Sequence, residues 1–445
     1  MGPRPGPPGR RGTLTVDTHF MITLPLFYTH THKMRIIVLA AAFATTKCGA
    51  AAAACTTASD CNLNGDCVSG VCVCDAAWSG AADCGAMSFQ VQDAKHRPGM
   101  YNSTQSTWGG IPIKGNDDRW HLIHAQMVNS CPLGSWTTDS MIARSVAETI
   151  NGPYTFEAEL VVPFAHNPVI RRNDADKSYT IFMIGGWHTN TTDCRKKTQT
   201  SATVEAVAVA TDSCTSDTWE KTCGAAMPGP SHDCCGPKSG GGNSGCGIAT
   251  AHATSLDGPW TVAPLLITDQ WDSDDVYCAH TNPSPHYLAN GSIVMAFNAG
   301  FCHNHLETIG TAISDHGWGG PWRLLSKNAI LHDADGSIHH CEDPFIWKTA
   351  RGWHLLVHNQ EGPQKESAYA HSVDGLNWTL APHAPYDCVL KFTDGTTATA
   401  SGCGNRPQIV FDESTAKPLL LTNGAMAAKP NGGKGTYTLF RPITQ

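Results

Sequence analysis

The chain has 445 residues, enough for one large domain and a small one. It is 41% hydrophobic and 15% charged, a globular composition, and its net charge of −8 without any basic run gives no grounds for nucleic acid or an anionic membrane as partner. Its 19 cysteines argue against a reducing compartment. Four sequons, at Asn102, Asn190, Asn290 and Asn377, agree with secretion and are the expected glycosylation sites.

Residues 1–33 are rich in Pro, Arg and Thr, show no periodicity, and read as a non-globular leader ahead of a start at Met34. Residues 34–54 have the plan of a signal peptide: a short basic start, the apolar run Ile36 to Leu39, then an alanine-rich stretch. Thr45, Thr46 and Lys47 interrupt that run, so no membrane insertion is expected. Loss of Cys48 on cleavage leaves an even number of cysteines.

Residues 55–84 carry Cys55, Cys61, Cys67, Cys72, Cys74 and Cys84. About thirty residues cannot bury a sufficient core, so crosslinks are expected to replace one. Spacing alone allows fifteen pairings of six cysteines. Cys72-Val-Cys74, then Trp78, Gly80 and Cys84, resembles an EGF-like module. The resemblance implies the pairs Cys55–Cys67, Cys61–Cys72 and Cys74–Cys84, and a stapled spacer or a protein-contact element. The alanines before Cys55 offer no calcium ligand.

From residue 100 to 445 the chain repeats itself. The pairs Asn167-Pro168, Asn282-Pro283, Asp343-Pro344 and Arg406-Pro407 each precede a hydrophobic run, and a turn such as Gly258-Pro259-Trp260 or Gly320-Pro321-Trp322 often follows. Trp108 to Ile113 opens an earlier copy that lacks the proline pair. Five copies at a period of about sixty residues predict an all-β, five-bladed β-propeller with four-stranded blades at about 100–160, 161–267, 268–331, 332–388 and 389–445. A cysteine- and glycine-rich stretch, 187–247, reads as an insertion in the second blade.

In such a ring the first residues of the inner strands converge on the axis. That gathers Trp108, His166, Asn167, Asn282, Glu342, Asp343 and Arg406. Polar groups beside an indole suit sugar hydroxyls, which need paired donors and acceptors plus a face to stack on.

Glu342-Asp343-Pro344-Phe345-Ile346-Trp347, Gly352-Trp353-His354-Leu355-Leu356, Ala370 to Trp378 and Arg406-Pro407-Gln408-Ile409 resemble the family 43 glycoside hydrolases and their invertase- and levansucrase-like relatives. The resemblance implies cleavage of a glycosidic bond by two carboxyl groups. The family's first-blade aspartate is replaced here by Trp108-Gly109-Gly110-Ile111, its second by Asn167, and Asn282 opens the third blade where the family uses a glutamate. The catalytic candidates are therefore Glu342, Asp343 and Glu307, with Glu361 and Asp139 in reserve. Trp108, His166, Asn167, Asn282 and Arg406 are the candidate substrate-binding residues. The expectation is a secreted protein acting on an oligo- or polysaccharide, either as a hydrolase or as a catalytically inactive glycan-binding propeller with an EGF-like spacer. No cofactor is required. A zinc-type metal held near the axis by His166, His280 and the clusters His303–His305 and His339-His340-Cys341-Glu342 is allowed by the residue types but not expected.

Overall fold

The fold is described from a computed structural model, which covers residues 55–80, 82–95, 99–185, 247–265, 267, 277–301, 307–361, 366–428 and 434–445. The leader, the expected signal peptide, nearly all of the 187–247 insertion, Asn190 and His303 and His305 lie outside these residues. Everything described belongs to one compact unit, Ala52–Gln445.

The chain opens with a small hairpin, β1 (Gly65–Val68) and β2 (Val71–Cys74), and a pair of two-residue strands, β3 (Trp78–Ser79) and β4 (Ala86–Met87). The disulfides Cys55–Cys67, Cys61–Cys72 and Cys74–Cys84 staple it. These are the pairs implied by the EGF-like resemblance.

Five sheets follow. The first holds β5 (Thr107–Lys114), β6 (Trp120–Met127), β7 (Ser140–Ala147) and β8 (Thr155–Val161), with the single turn of α1 (Trp136–Asp139) between its second and third strands. The second holds β9 (Ala165–Arg172), β10 (Tyr179–Gly185), β11 (Ile248–Ala253) and β12 (Thr261–Pro264). The third holds β13 (Tyr277–Tyr287), β14 (Ile293–Phe301), β15 (Glu307–Ser314) and β16 (Arg323–Ser326). The fourth holds β17 (Cys341–Lys348), β18 (Trp353–Asn359), β19 (Ala368–Ser372) and β20 (Thr379–Leu380). A short ribbon, β21 (Val389–Lys391) and β22 (Thr397–Thr399), tied by Cys388–Cys403, leads to the last sheet, β23 (Gln408–Phe411), β24 (Pro418–Ala428) and β25 (Lys434–Pro442). Every pairing is antiparallel between sequence neighbours, the up-and-down plan of a five-bladed propeller.

The last blade departs from the expected four strands. It has three of its own, and the segment before the first blade lies along β25, with bridges Phe89↔Ile443 and Met100↔Thr438. The ring is therefore closed by chain from its other end.

Period-2 alternation places the core between the blades. On β10, Ile181 and Met183 join one apolar cluster with Ile170 and Leu122, while Phe182 joins the next with Ile293, Met295 and Phe297. On β14, Val294 and Ala296 face away from those three residues and pack with Ile346, Leu355 and Val357.

Three of the four X-Pro pairs are bulges within the inner strands rather than strand starts, while Arg406-Pro407 comes just before β23. Ladder register skips Asn282-Pro283 and Asp343-Pro344, and likewise Gly109-Gly110 in the first blade. Proline cannot donate to a ladder, so the pair falls where the ladder is broken. The residue before it takes a left-handed φ in every blade: Asn167 at 52°, Asn282 at 49°, Asp343 at 56°, Arg406 at 48°, with Gly109 at 57° in the first. For the non-glycine residues this costs roughly 1–3 kcal/mol each, offset by what their side chains meet at the axis.

The small module is docked on the ring. Arg351 of the β17–β18 turn reaches Asp66 at 2.9 Å and Asp75 at 2.8 Å, and donates to the Leu63 carbonyl. The buried Tyr369 hydroxyl donates to the Asn62 carbonyl at 2.8 Å, and its ring lies 5.2 Å from that of Trp78.

Candidate functional site

The inner-strand openings bring their leading residues together, as the repeat requires. Arg406 donates from its backbone N–H to Asp343 Oδ2 at 2.9 Å and from its guanidinium to Asp343 Oδ1 at 3.3 Å. It also reaches the Asn167 carbonyl at 3.2 Å, and Asn167 Nδ2 donates to Asn282 Oδ1 at 2.8 Å. The Gly109 backbone packs on Arg406: a Cβ there would lie 3.2 Å from the Arg406 Cβ. All four side chains are buried, Arg406 to 1% exposure. Burial lowers the Arg406 guanidinium, and the Asp343 charge and hydrogen bond oppose this.

This packing corrects several placements. Arg406, Asn167 and Asn282 plug the axis, and their polar atoms are directed at one another rather than at an open cleft. Asp343 is the counterion of Arg406. Trp108 is buried in a cluster with Ala125, Met127 and Cys131, its indole against Gly424, so it offers no free face to a sugar ring. His166 is stacked on Trp136 and bonded to Ser140 Oγ at 2.7 Å. Burial, aided by the Arg406 charge, lowers it to about 3 and keeps it neutral. Asp139, on α1, is fully buried and accepts a hydrogen bond from Thr138 at 2.8 Å. Cys341 carries a buried free thiol, so an even cysteine count does not mean that all are paired.

A second polar group lies beside the plug, where the third and fourth blades meet. Glu307 begins β15, Glu342 lies in the opening of β17, and their carboxyls share a hydrogen bond. Asn298 Nδ2 donates to Glu307 Oε1 at 3.1 Å and Gln360 Nε2 to Oε2 at 2.8 Å. Glu342 faces His358 in the ladder register, and its Oε1 lies 3.0 Å from His358 Nδ1. Burial and the neighbouring Glu342 push Glu307 up to about 7. For His358, burial alone would lower the imidazole, but the Glu342 hydrogen bond and the Asp343 charge raise it above its ordinary value. The result is a Glu307 carboxyl that holds its proton towards neutrality beside Glu342, with the His358 imidazole facing the pair.

Two of the three carboxylates singled out from sequence thus meet, and the third holds the axis. Asn298, His358 and Gln360 were missed. Of the reserves, Glu361 lies beside His340, its Oε1 3.8 Å from Nδ1, and Asp139 sits on α1 of the first blade. A crevice of about 390 Å³ lies elsewhere, between the small module and the closing ends of β17 and β23, lined by Trp78, Trp347 and Phe411.

The architecture defines an all-β five-bladed propeller carrying a disulfide-stapled N-terminal module. No family model and no curated protein matches the chain. Among solved structures it is similar to a family 117 glycoside hydrolase from the marine bacterium Zobellia galactanivorans, at 13% identity over 80% of this chain and 90% of that one, with a TM-score of 0.48. It is also similar to a thermostable family 43 glycoside hydrolase (8% identity, 78% and 92% covered, TM-score 0.47) and to an endo-arabinase from Bacteroides thetaiotaomicron (10%, 79% and 98%, 0.42). Likeness this distant assigns no activity.

Proposed function

We propose that the protein is a secreted carbohydrate-binding propeller and that its site is the polar group of Glu307, Glu342, His358, Asn298 and Gln360. The observation that carries this reading is that the described carboxyls near the inner-strand openings form a single cluster. Glycoside cleavage needs two carboxyl groups about 5–10 Å apart on opposite sides of the bond. Glu307 and Glu342 are hydrogen-bonded to each other and act as one unit, and Asn167, Asn282 and Gly109 supply no second carboxylate. Amide donors beside carboxyl acceptors match the paired demands of sugar hydroxyls. The same reading makes residues 55–84 an EGF-like module, 34–54 a signal peptide, and the exposed Asn102, Asn290 and Asn377 glycosylation sites.

One observation favours a second reading, hydrolysis of a polysaccharide. A carboxyl raised to about 7 is suited to general-acid catalysis. A screen of plant, algal and microbial polysaccharides, scoring both binding and release of reducing sugar, separates the two. Binding without turnover, weakened about tenfold by Glu342→Gln, is the expected result. Turnover abolished by Glu307→Gln would establish the hydrolase, and absence of both binding and turnover would sink both readings.

A further inference from the structure

Next to the carboxyl pair, but outside it, lies a group that the proposed function does not use. A short hairpin, held by the bridge His332↔Ile338 and by the hydrogen bonds from Asp333 N–H to the Ser337 carbonyl and from Gly336 N–H to the Asp333 carbonyl, precedes β17. Its backbone returns through His339 N–H to the Leu331 carbonyl and from Gln360 N–H to the His340 carbonyl. This fixes His339 and His340 against the end of β18, where Glu361 follows. His339 Nδ1 lies 2.9 Å from Asp333 Oδ1, and His340 Nδ1 lies 3.8 Å from Glu361 Oε1. One donor atom from each of Asp333, His339 and Glu361 lies within 4.8 Å of the others, the spread of ligands around one ion.

Two further observations point to a cation. The His339 side chain is about 6% exposed, yet its Nε2 has no hydrogen-bond partner; His340 Nε2 is likewise buried and unpartnered. A buried imidazole nitrogen without a partner is costly in a hydrogen-bonded protein. The surroundings are also strongly negative. Asp333, Glu361 and Glu342 each lie within ion-pair distance of a histidine in this corner. Among the described residues none of these three carboxylates has a lysine or arginine within ion-pair distance; their ion-pair partners are histidines alone. The Glu342–Asp343–His358 group is a poorer site, because Asp343 is committed to Arg406.

We infer that Asp333, His339 and Glu361, with His340 alongside, form a binding site for a zinc-type divalent transition metal. Mixed imidazole and carboxylate donors select zinc, cobalt or nickel over calcium and magnesium, which take oxygen ligands. The site stands off the axis, and it does not depend on the carbohydrate reading.

The test uses the full chain without a histidine tag, stripped with chelator and titrated calorimetrically with zinc, with cobalt as a spectroscopic substitute. Stoichiometric zinc binding is expected, with cobalt d–d bands of a nitrogen- and oxygen-ligated ion. His339→Gln and Glu361→Gln are expected to weaken zinc by about 10–100-fold, while His358→Asn leaves it unchanged. The cobalt spectrum and a zinc-dependent rise in melting temperature of the unmodified protein decide the matter even where a variant folds poorly. Absence of binding by the unmodified protein would overturn the inference. So would a loss caused by His358→Asn but not by His339→Gln, since the ion would then sit at the carboxyl pair.

Discussion

Glu307 holds its proton to about 7, against 4.5 for an ordinary glutamate, because it is buried and faces Glu342. The sign of the consequence follows from linkage. Between these two values the folded chain keeps a proton that the unfolded chain releases, so stability falls as pH rises through this window and is level above it. Urea unfolding at pH 4.5 and at about pH 7.5 is expected to show a loss in the unmodified protein on the order of 2–3 kcal/mol larger than in Glu307→Gln. Equal losses in the two proteins would mean that Glu307 titrates as an ordinary surface acid. Asp343 has a different part. Asp343→Asn preserves shape and tolerates the left-handed φ, but strands the fully buried Arg406 charge. A loss of about 3–5 kcal/mol is expected, largely recovered when Arg406→Met is added, because a buried pair contributes little net stability while half of one is costly. Unfolding curves that show the double variant as unstable as the single one would contradict a charge effect.

At the scale of strands and turns, the ring was legible because its punctuation is chemical. A proline removes a ladder donor, so Asn167-Pro168, Asn282-Pro283 and Asp343-Pro344 mark the same bulge in three blades, Arg406-Pro407 shares its left-handed φ just ahead of β23, and Gly109-Gly110 reaches the bulge by glycine's freedom at positive φ. What the residue before proline does was not legible. Convergence on the axis was read as an open pocket, yet Arg406 and Asp343 are opposite charges at neighbouring openings, and they neutralise each other. Asn298, His358 and Gln360 were invisible for another reason. Their role depends on which residue faces which across β14–β15 and β17–β18, and on the third blade meeting the fourth at Glu307. Register of that kind is set by packing, not by local pattern. The docking of the small module was hidden likewise. Its solvent-screened Arg351–Asp66 and Arg351–Asp75 pairs hold it weakly, whereas Tyr369 buries a hydroxyl bonded to the Asn62 carbonyl and His354. Tyr369→Phe leaves that carbonyl and the His354 Nδ1 without this partner, at roughly 1–3 kcal/mol, while His354 Nε2 keeps Thr349. Limited proteolysis within residues 55–84 is therefore expected to accelerate more in Tyr369→Phe than in Arg351→Ala. The reverse order would show that the ion pairs hold the module.

For the whole molecule the question is what keeps five blades closed. Four blades end on a strand from their own repeat, but the fifth has three strands, and its outer edge is covered by the segment that precedes the first blade. Gln90 N–H donates to the Pro442 carbonyl, Thr444 N–H to Ser88, and Met100 N–H to Thr438, while Arg441 lies 3.8 Å over the Phe89 ring. Closure therefore joins Ser88, Phe89, Gln90 and Met100 to residues 438–444, so the two ends of the ring are held by each other. Gly99 tests this directly. It has φ +112°, and a Cβ there would lie 2.0 Å from the Thr438 carbonyl oxygen, the acceptor of the Met100 bond. Gly291 has a similar φ of +87°, with nothing within 4 Å of a Cβ. Gly291→Ala carries only the backbone cost of about 1–2 kcal/mol. Gly99→Ala carries that cost and must also push the closing segment off β25, so a loss above about 4 kcal/mol is expected. Thermal unfolding of the two variants measures the difference, which is the contribution of closure. If they melt together, the segment is only appended to the fifth blade, and the ring must be held by the apolar layers between blades alone.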